Sequence, residues 1–286
     1  MWIFLIACST PSEGAPARTE AEAEPASCGG EDAAVWLISR IGYARELEAG
    51  VSPGFDLDAS VTALGDDAGC GLQDFTDPAG TSGIDNQFAR VIPSLETTEA
   101  FRLDPSIQAS IESGFLLLAL EVGNIDGDAD DDACAEFALG HAMGAPSLGT
   151  DDTLEWYQTL AVDPATPRSE AGDVTLEAGQ LLASGLEVTV PLALTGHAIQ
   201  ITLHDVTLRF DVQEDGSAVG YFAGGLDRDE LVVAATNDID PTVPEFAATL
   251  LESNLDLLPD ESGDCHSVSV TLAFTAVPVF LLGEVE

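Results

Sequence analysis

The feature that most constrains the fold is a long stretch in which apolar and polar residues alternate. Over residues 186–194 the apolar side chains fall at every second position, which is the period of a half-buried β-strand. Thr195-Gly196-His197 predicts a turn, and a second alternating run continues to residue 212. The apolar phase of that run shifts, so we predict a β-bulge near His204 and Asp205 that keeps one face apolar.

The same period recurs near both ends of the chain. Residues 35–43 and 268–274 alternate, and residues 115–122 form a nearly continuous apolar run, typical of a strand buried on both faces. A returning strand at residues 134–139 would complete a hairpin with an acidic tip. Many strands and few helices predict a mainly β fold: a single antiparallel β-sandwich-like domain with two or three short helices.

Helices are predicted at three places by their capping residues. The first has Asp104 at its start, Pro105 in its first turn and Gly114 at its end. The other two begin at capping boxes, in which two side chains three residues apart satisfy free backbone N–H groups. These boxes are Asp227 with Glu230 and Thr242 with Glu245.

The first eight residues predict an export signal. Their apolar run is too short to span a bilayer, and Leu5-Ile6-Ala7-Cys8 resembles the bacterial lipobox, whose cysteine is lipidated. No basic residue precedes the run, which departs from the usual signal. We expect a signal over residues 1–8, lipidated at Cys8, a disordered tether over residues 9–27 and one β-rich domain over residues 28–286. The alternative is a buried first strand with an incidental cysteine.

The charge of the chain limits its partners. It has 51 acidic and 8 basic residues and a formal net charge of -43. Such a surface repels nucleic acids and anionic lipids, so we expect contact with the outer membrane or cell surface through the lipid anchor only. Cations are the natural partners. The alternative explanation is adaptation to a salty medium, which requires no binding site.

Four cysteines follow Cys8, an even number that predicts two disulfides in an oxidising compartment. Three pairings are open. They lack the spacing of a CxxC motif or a Cys/His cluster, so structural zinc is not expected. The four are Cys28, Cys70, Cys134 and Cys265.

An acidic run at the predicted hairpin tip has oxygen-bearing side chains at every second position. Alternating oxygen ligands in a tight loop suit calcium, and the run resembles the DxDGD loops of thrombospondin type 3 repeats. It departs from the EF-hand, because Asp131 replaces the required glycine and Phe137 the closing glutamate. The alternative is a solvated tip. The candidate ligands are Asn124, Asp126, Asp128, Asp130 and Asp132.

A second polar constellation predicts a pocket. Asp56 and Asp58 alternate on one extended segment and so point the same way, and Asp85 and Asn86 follow in a glycine-rich loop. The alternative is turn chemistry and a buried hydrogen-bond network around Arg90.

Four blocks occur in order over nearly all of the mature chain: GFDLD, CGLQDF, GIDNQFARVIP and SVSVTLAFTAVP. In these blocks the chain resembles a family of uncharacterised bacterial exported lipoproteins. The resemblance implies export and a single β-rich domain, and it implies no activity or ligand.

No catalytic residue is predicted, because among 51 acids a glycosidase-like carboxylate pair arises by chance. Trp36, Trp156 and Tyr157 are candidates for stacking on a sugar, although aromatic residues of a β-sandwich usually lie in its core. We therefore hypothesise a non-catalytic, exported, lipid-anchored binding or structural module, stabilised by calcium, with an extracellular glycan or protein as ligand. A glycan-active hydrolase and a carrier of an apolar ligand are the alternatives.

Overall fold

Several of the predicted features fall on residues whose structure is not described. Cys8, the tether, Cys28, the capping box at Thr242 and residues 126–133 lie outside the described part of the chain. The computed structural model describes residues 32–66, 68–97, 103–125, 134–194, 197–230, 233, 249, 251–259 and 264–282.

The described chain is mainly β, as predicted. Its strands are β1 (Asp32–Tyr43), β2 (Phe75–Thr76), β3 (Ser82–Ile84), β4 (Leu118–Ile125), β5 (Glu136–Met143), β6 (Thr159–Val162), β7 (Ser169–Glu170), β8 (Asp173–Glu177), β9 (Gln180–Leu194), β10 (His197–Val212), β11 (Ala218–Asp227), β12 (Leu257–Pro259), β13 (Cys265–Pro278) and β14 (Phe280–Leu282).

Within the described ranges, twelve of these strands form one large sheet. Its order is β14-β6-β5-β4-β1-β13-β11-β10-β9-β8, with β12 also beside β13 and β7 beside β5. Neighbours are antiparallel except β14, which runs parallel to β6, so the large sheet is mixed. β2 and β3 form a small separate sheet.

The two predicted strand pairings, one from a continuous apolar run with a returning strand and one from alternation, are confirmed. β4 pairs with β5, and β9 pairs with β10. The register of β9 and β10 shifts between Leu203 and Val206, and Asp205 has a left-handed φ of 51°. The extra residue is the predicted bulge, and it returns Val206 and Leu208 to the buried face.

The large sheet folds back on itself around one apolar core. The Ser169 hydroxyl of β7 accepts a hydrogen bond from the Glu187 N–H of β9 (2.8 Å), so the two halves of the sheet meet. Phe210 lies in this core and contacts three other aromatic rings. The rings belong to Trp36, Phe137 and Phe274.

Two described α-helices and one 3-10 helix accompany the sheet. The helix predicted at Asp104 is confirmed, although it begins one residue earlier. At the predicted capping box, Asp227 Oδ1 accepts hydrogen bonds from the N–H groups of Asp229 (2.8 Å) and Glu230 (3.1 Å), and residues 228–230 are helical. The elements are α1 (Phe88–Leu95), α2 (Leu103–Glu112) and the 3-10 helix Ala68–Gly71.

β13 is buried on both faces, and this positions the site. Its Val and Leu side chains enter the core, whereas Ser269 and Thr271 face residues 44–97. Those residues contain α1, β2 and β3, and we call them the loop layer. The disulfide Cys70–Cys265 ties the layer to the start of β13 and settles one of the predicted pairings. Cys134 is also disulfide-bonded.

Candidate functional site

Three of the four residues of the predicted polar pocket come together in the loop layer. One carboxylate oxygen from each of Asp56, Asp58 and Asp85 lies within 4.8 Å of the other two. Asp56 and Asp58 are exposed, whereas Asp85 is only 2% exposed. We call these three residues the acidic cluster. The arrangement offers oxygen ligands from two chain segments to one point, as a cation site does.

Backbone pairing brings the two segments side by side. The Asp85 N–H donates to the Phe55 carbonyl (2.8 Å), and Asp85 Oδ2 accepts from the Leu57 N–H (2.6 Å). Gly83 permits the approach, because its φ of +86° is left-handed and a Cβ there would lie 2.8 Å from the Ser60 carbonyl. The two sequence blocks that contain Asp56 and Asp85 are therefore in contact at Gly83, where any other residue would strain the backbone.

A tight turn curls Asp56 and Asp58 toward each other. The Ser60 N–H lies 3.1 Å from Asp56 Oδ1 and 2.9 Å from Asp58 Oδ1. The Ser60 hydroxyl donates to the same Asp58 oxygen (2.8 Å). Ala59 has a left-handed φ of 58°, which reverses the chain between the carboxylates and the serine. The two exposed carboxylates are thus held in place by hydrogen bonds of the turn itself.

The acidic cluster brings three carboxyl groups together without a positive partner among the described residues. Among the described residues, no arginine or histidine nitrogen forms an ion pair with its carboxylates. Burial raises the pKa of Asp85 to about 8, and the charges of Asp256, Asp58 and Asp74 add to this effect. Burial also raises the pKa of Asp56. A bound cation would supply the missing positive charge and favour the ionised form of each group.

Asp85 uses only one of its carboxylate oxygens. Oδ2 accepts from the Leu57 N–H and more distantly from the Asp58 N–H (3.4 Å), whereas no hydrogen bond within the described ranges reaches Oδ1. Oδ1 therefore has no hydrogen-bond partner among the described residues that a cation would have to displace.

Asn86, the next residue, lies outside the acidic cluster. Its Oδ1 accepts from the Thr271 N–H (3.1 Å), and its Nδ2 donates to Ser52 Oγ (2.8 Å) and the Ala44 carbonyl (3.2 Å). It is 1% exposed. Asn86 therefore joins the loop layer to β13, and its polar atoms are occupied by the protein itself.

Asn86 and Asp256 together bridge a gap in the sheet. β12 pairs with the first residues of β13, and β1 pairs with its later residues. The N–H groups of Ser269 and Thr271 lie between these two strands and form no backbone hydrogen bond with either. Asp256 accepts from the Ser269 N–H (2.7 Å) and hydroxyl (2.5 Å), as Asn86 accepts from Thr271. We call this arrangement the ladder gap. Burial raises the pKa of Asp256 to about 7.

The network expected around Arg90 exists, and it lies next to the ladder gap. The Gln87 N–H donates to Ser269 Oγ (2.7 Å), and Arg90 donates to the side chain of Gln87 and to the Gln73 carbonyl (2.9 Å). The Arg90 guanidinium lies 4.2 Å above the centre of the Phe75 ring. Burial lowers the pKa of Arg90. This network attaches α1 to β13, so it has a structural role.

Of the predicted calcium ligands at the hairpin tip, only Asn124 is described. It has a left-handed φ of 61°, and its Nδ2 donates to the Cys134 carbonyl (3.0 Å). The tip site stays a prediction, because its other ligands lie outside the described residues. These are Asp126, Asp128, Asp130 and Asp132.

The three aromatic candidates have different environments. Trp36 is buried in the core, and its Nε1 donates to the Gly216 carbonyl (2.9 Å). Trp156 and Tyr157 are exposed neighbours whose ring centroids lie 6.4 Å apart. Only these two can meet a ligand from solvent.

No family model, curated protein or solved structure matches this chain. None of the described helices is long and apolar enough to cross a membrane. The function is therefore argued from the geometry of the site.

Proposed function

We propose that the protein is an exported, lipid-anchored module of the cell envelope or surface, with a binding or structural role, whose loop layer is stabilised by calcium at the acidic cluster. The observation that carries the calcium site is the convergence of Asp56, Asp58 and the buried Asp85 within 4.8 Å. Export is supported by the lipobox ending at Cys8 and by the Cys70–Cys265 disulfide, since disulfides persist in oxidising compartments.

Calcium suits this cluster better than magnesium does. Calcium accepts about six to eight oxygens in flexible geometry, whereas magnesium demands a near-ideal octahedron and keeps its waters. The cluster offers one buried and two exposed carboxylates, so an ion would be held on one side by protein and on the other by water. Such an uneven set of ligands favours the larger, more tolerant ion.

A cation here would stabilise the folded state. The cluster joins the segment containing Asp56 and Asp58 to the segment containing Asp85, and the Asn86 that follows is hydrogen-bonded to β13. An ion bound by both segments holds the loop layer on the sheet. Because the unfolded chain lacks this arrangement, binding raises the free energy of unfolding.

The two alternatives have weaker support. A glycan hydrolase needs two carboxylates with separated pKa values in an accessible cleft, and Asp85, whose pKa is raised, is too buried to reach a glycosidic bond. A carrier needs a large apolar cavity. The cavity beneath α2, lined by Ile107, Val190 and Leu203, measures about 20 Å³, which suits one water molecule.

Thermal unfolding of the full chain with Cys8→Ser, which cannot be lipidated, tests the proposal. At fixed ionic strength, calcium should raise Tm relative to chelator, and magnesium should raise it less. The shift should vanish in the double variant Asp56→Asn and Asp58→Asn. It should persist in Asp215→Asn, a matched control, because Asp215 makes the same two hydrogen bonds to Ser217 that Asp58 makes to Ser60.

Two outcomes would contradict the proposed site. The absence of any calcium-specific shift would remove calcium from the account and leave the acidity as salt adaptation. A shift that survives the Asp56 and Asp58 substitutions but disappears with Asp126→Asn and Asp128→Asn would place the ion at the hairpin tip instead.

A further inference from the structure

An exposed row of aromatic rings lies at the β14 edge of the large sheet. Trp156, Tyr157 and Phe280 are 40%, 59% and 57% exposed. The ring centroids lie 6.4 Å apart from Trp156 to Tyr157 and 6.3 Å apart from Tyr157 to Phe280. We call these three residues the aromatic ledge. Neighbouring ring planes are inclined by 61° and 35°, so the ledge offers three adjacent aromatic rings at different angles and not one flat platform.

The ledge is rigid. The Tyr157 N–H donates to the Pro278 carbonyl (2.7 Å), and the Phe280 N–H donates to the Gln158 carbonyl (2.9 Å), so the two ring-bearing segments are tied together. Tyr157 has a φ of 56°, a left-handed conformation that is costly for a tyrosine. A backbone that is held in place before binding loses little entropy when a ligand is bound.

We propose that the aromatic ledge binds an uncharged polysaccharide by stacking sugar rings on its aromatic side chains. Aromatic rings of this kind supply a large contact area with the apolar faces of a ligand at low entropic cost. The ledge exposes three adjacent large aromatic side chains, and contiguous apolar patches on a protein surface often mark binding sites.

The negative charges around the aromatic ledge favour an uncharged ligand over an anionic one. Asp151, Asp152 and Glu155 are exposed on the loop that leads to it, and the chain as a whole carries a formal charge of -43. These carboxylates repel anionic polysaccharides, anionic lipids and a second copy of the same chain. They also accept hydrogen bonds from hydroxyl groups, which an uncharged sugar offers in abundance.

The inference rests on the proposed function in one respect, that an exported domain meets extracellular polysaccharide. It does not depend on calcium, because the ledge and the acidic cluster lie on different segments. The two ideas can therefore fail separately.

Affinity gel electrophoresis of the full chain with Cys8→Ser tests the inference. Native gels would contain cellulose-derived glucan, xylan, galactomannan or starch as uncharged probes, and polygalacturonate as the anionic one. At least one uncharged polymer should retard the protein, with and without chelator, and polygalacturonate should not. Tyr157→Ser and Phe280→Ser should each weaken the retardation at least tenfold. Leu64→Ser removes an apolar side chain of the loop layer that is more exposed than either, at 77%, and should leave the retardation unchanged.

Three results would overturn the inference. The first is the absence of retardation by every uncharged polymer. The second is retardation that survives substitution of both Tyr157 and Phe280 while each variant keeps its cooperative unfolding. The third is concentration-dependent dimerisation in size-exclusion chromatography that the same two substitutions abolish, which would assign the ledge to a second copy. Loss of the calcium shift in Tm with retardation intact would count against the proposed calcium site alone.

Discussion

Asp85 and Asn86 are adjacent in the sequence and almost equally buried, yet their surroundings differ. At the ladder gap, both polar atoms of Asn86 are occupied by backbone or side-chain partners. In the acidic cluster, Asp85 shares its site with two further carboxylates and leaves one oxygen unused by the described residues. Burial alone therefore does not distinguish a structural residue from a ligand-binding one. What distinguishes the two residues is whether each polar atom has a hydrogen-bond partner within the protein.

The largest effect is expected from removing the Cys70–Cys265 disulfide, which disturbs both regions at once. Replacing Cys70 and Cys265 by Ser opens a loop with a sequence separation of 195 residues. The chain-entropy estimate for a loop of this length is a loss of about 5 kcal/mol in the free energy of unfolding. Urea denaturation measures it, with and without calcium. An unchanged midpoint would show that the loop layer is held on β13 without the bridge.

The pH dependence of the free energy of unfolding tests the ladder gap through Asp256. Because the pKa of Asp256 is raised to about 7, its folded form keeps a proton that the unfolded chain releases near pH 4. Stability in chelator should therefore fall as the pH rises from 4 through 7, by up to about 4 kcal/mol from this group. Asp256→Asn should make the fall smaller but not remove it, because Asp85, whose pKa is raised to about 8, contributes a fall over the same pH range. The exposed Asp215→Asn should leave the fall in place. An identical slope in wild type and Asp256→Asn would contradict this account.

Removing the Asn86 side chain tests the ladder gap alone. Asn86→Ala leaves the Thr271 N–H and the Ala44 carbonyl buried without their partner, at a cost of about 3 kcal/mol whether or not calcium is present. Gln213→Ala, at an exposed turn, should change stability by less than about 0.5 kcal/mol. Chemical denaturation compares the two. A cost for Asn86→Ala that calcium largely reverses would place Asn86 in the cation site after all.

Gly83 offers the smallest and most specific perturbation. Gly83→Ala should cost about 1–2 kcal/mol through its left-handed backbone and should also weaken calcium binding, because the new Cβ pushes against Ser60. Gly80→Ala is the matched control, since Gly80 has a φ of +97° and open space around its Cα. Both variants should lose stability in chelator. Only Gly83→Ala should lose part of the calcium shift in Tm, and equal shifts would separate Gly83 from the site.

The sequence predicted most of what depends on local pattern. Period-two alternation located the long strands, and the phase shift at His204 and Asp205 located the bulge. The sequence also predicted a polar pocket of Asp56, Asp58, Asp85 and Asn86, from alternation on one extended segment and a glycine-rich loop. In the structure a turn at the left-handed Ala59, and not an extended segment, brings Asp56 and Asp58 together beside Asp85.

What depends on long-range pairing could not be predicted. The role of Asn86 follows from the point at which β12 stops and β1 begins along β13, and no local pattern encodes that. Asp256 was missed for the same reason. The one available signal was the alternation of Ser and Thr with apolar residues on β13, which indicates a second buried face in need of polar partners.

The most direct test of the account is a calorimetric titration of calcium into the full chain with Cys8→Ser, at pH 7 in two buffers of different ionisation enthalpy. Because the pKa of Asp85 is about 8, this carboxyl is mostly protonated at pH 7, and calcium binding should release about one proton per ion. The release should disappear in Asp85→Asn, together with most of the binding, and remain in Asp215→Asn. Binding with no proton release, or unchanged binding by Asp85→Asn, would contradict the claim that Asp85 is a calcium ligand.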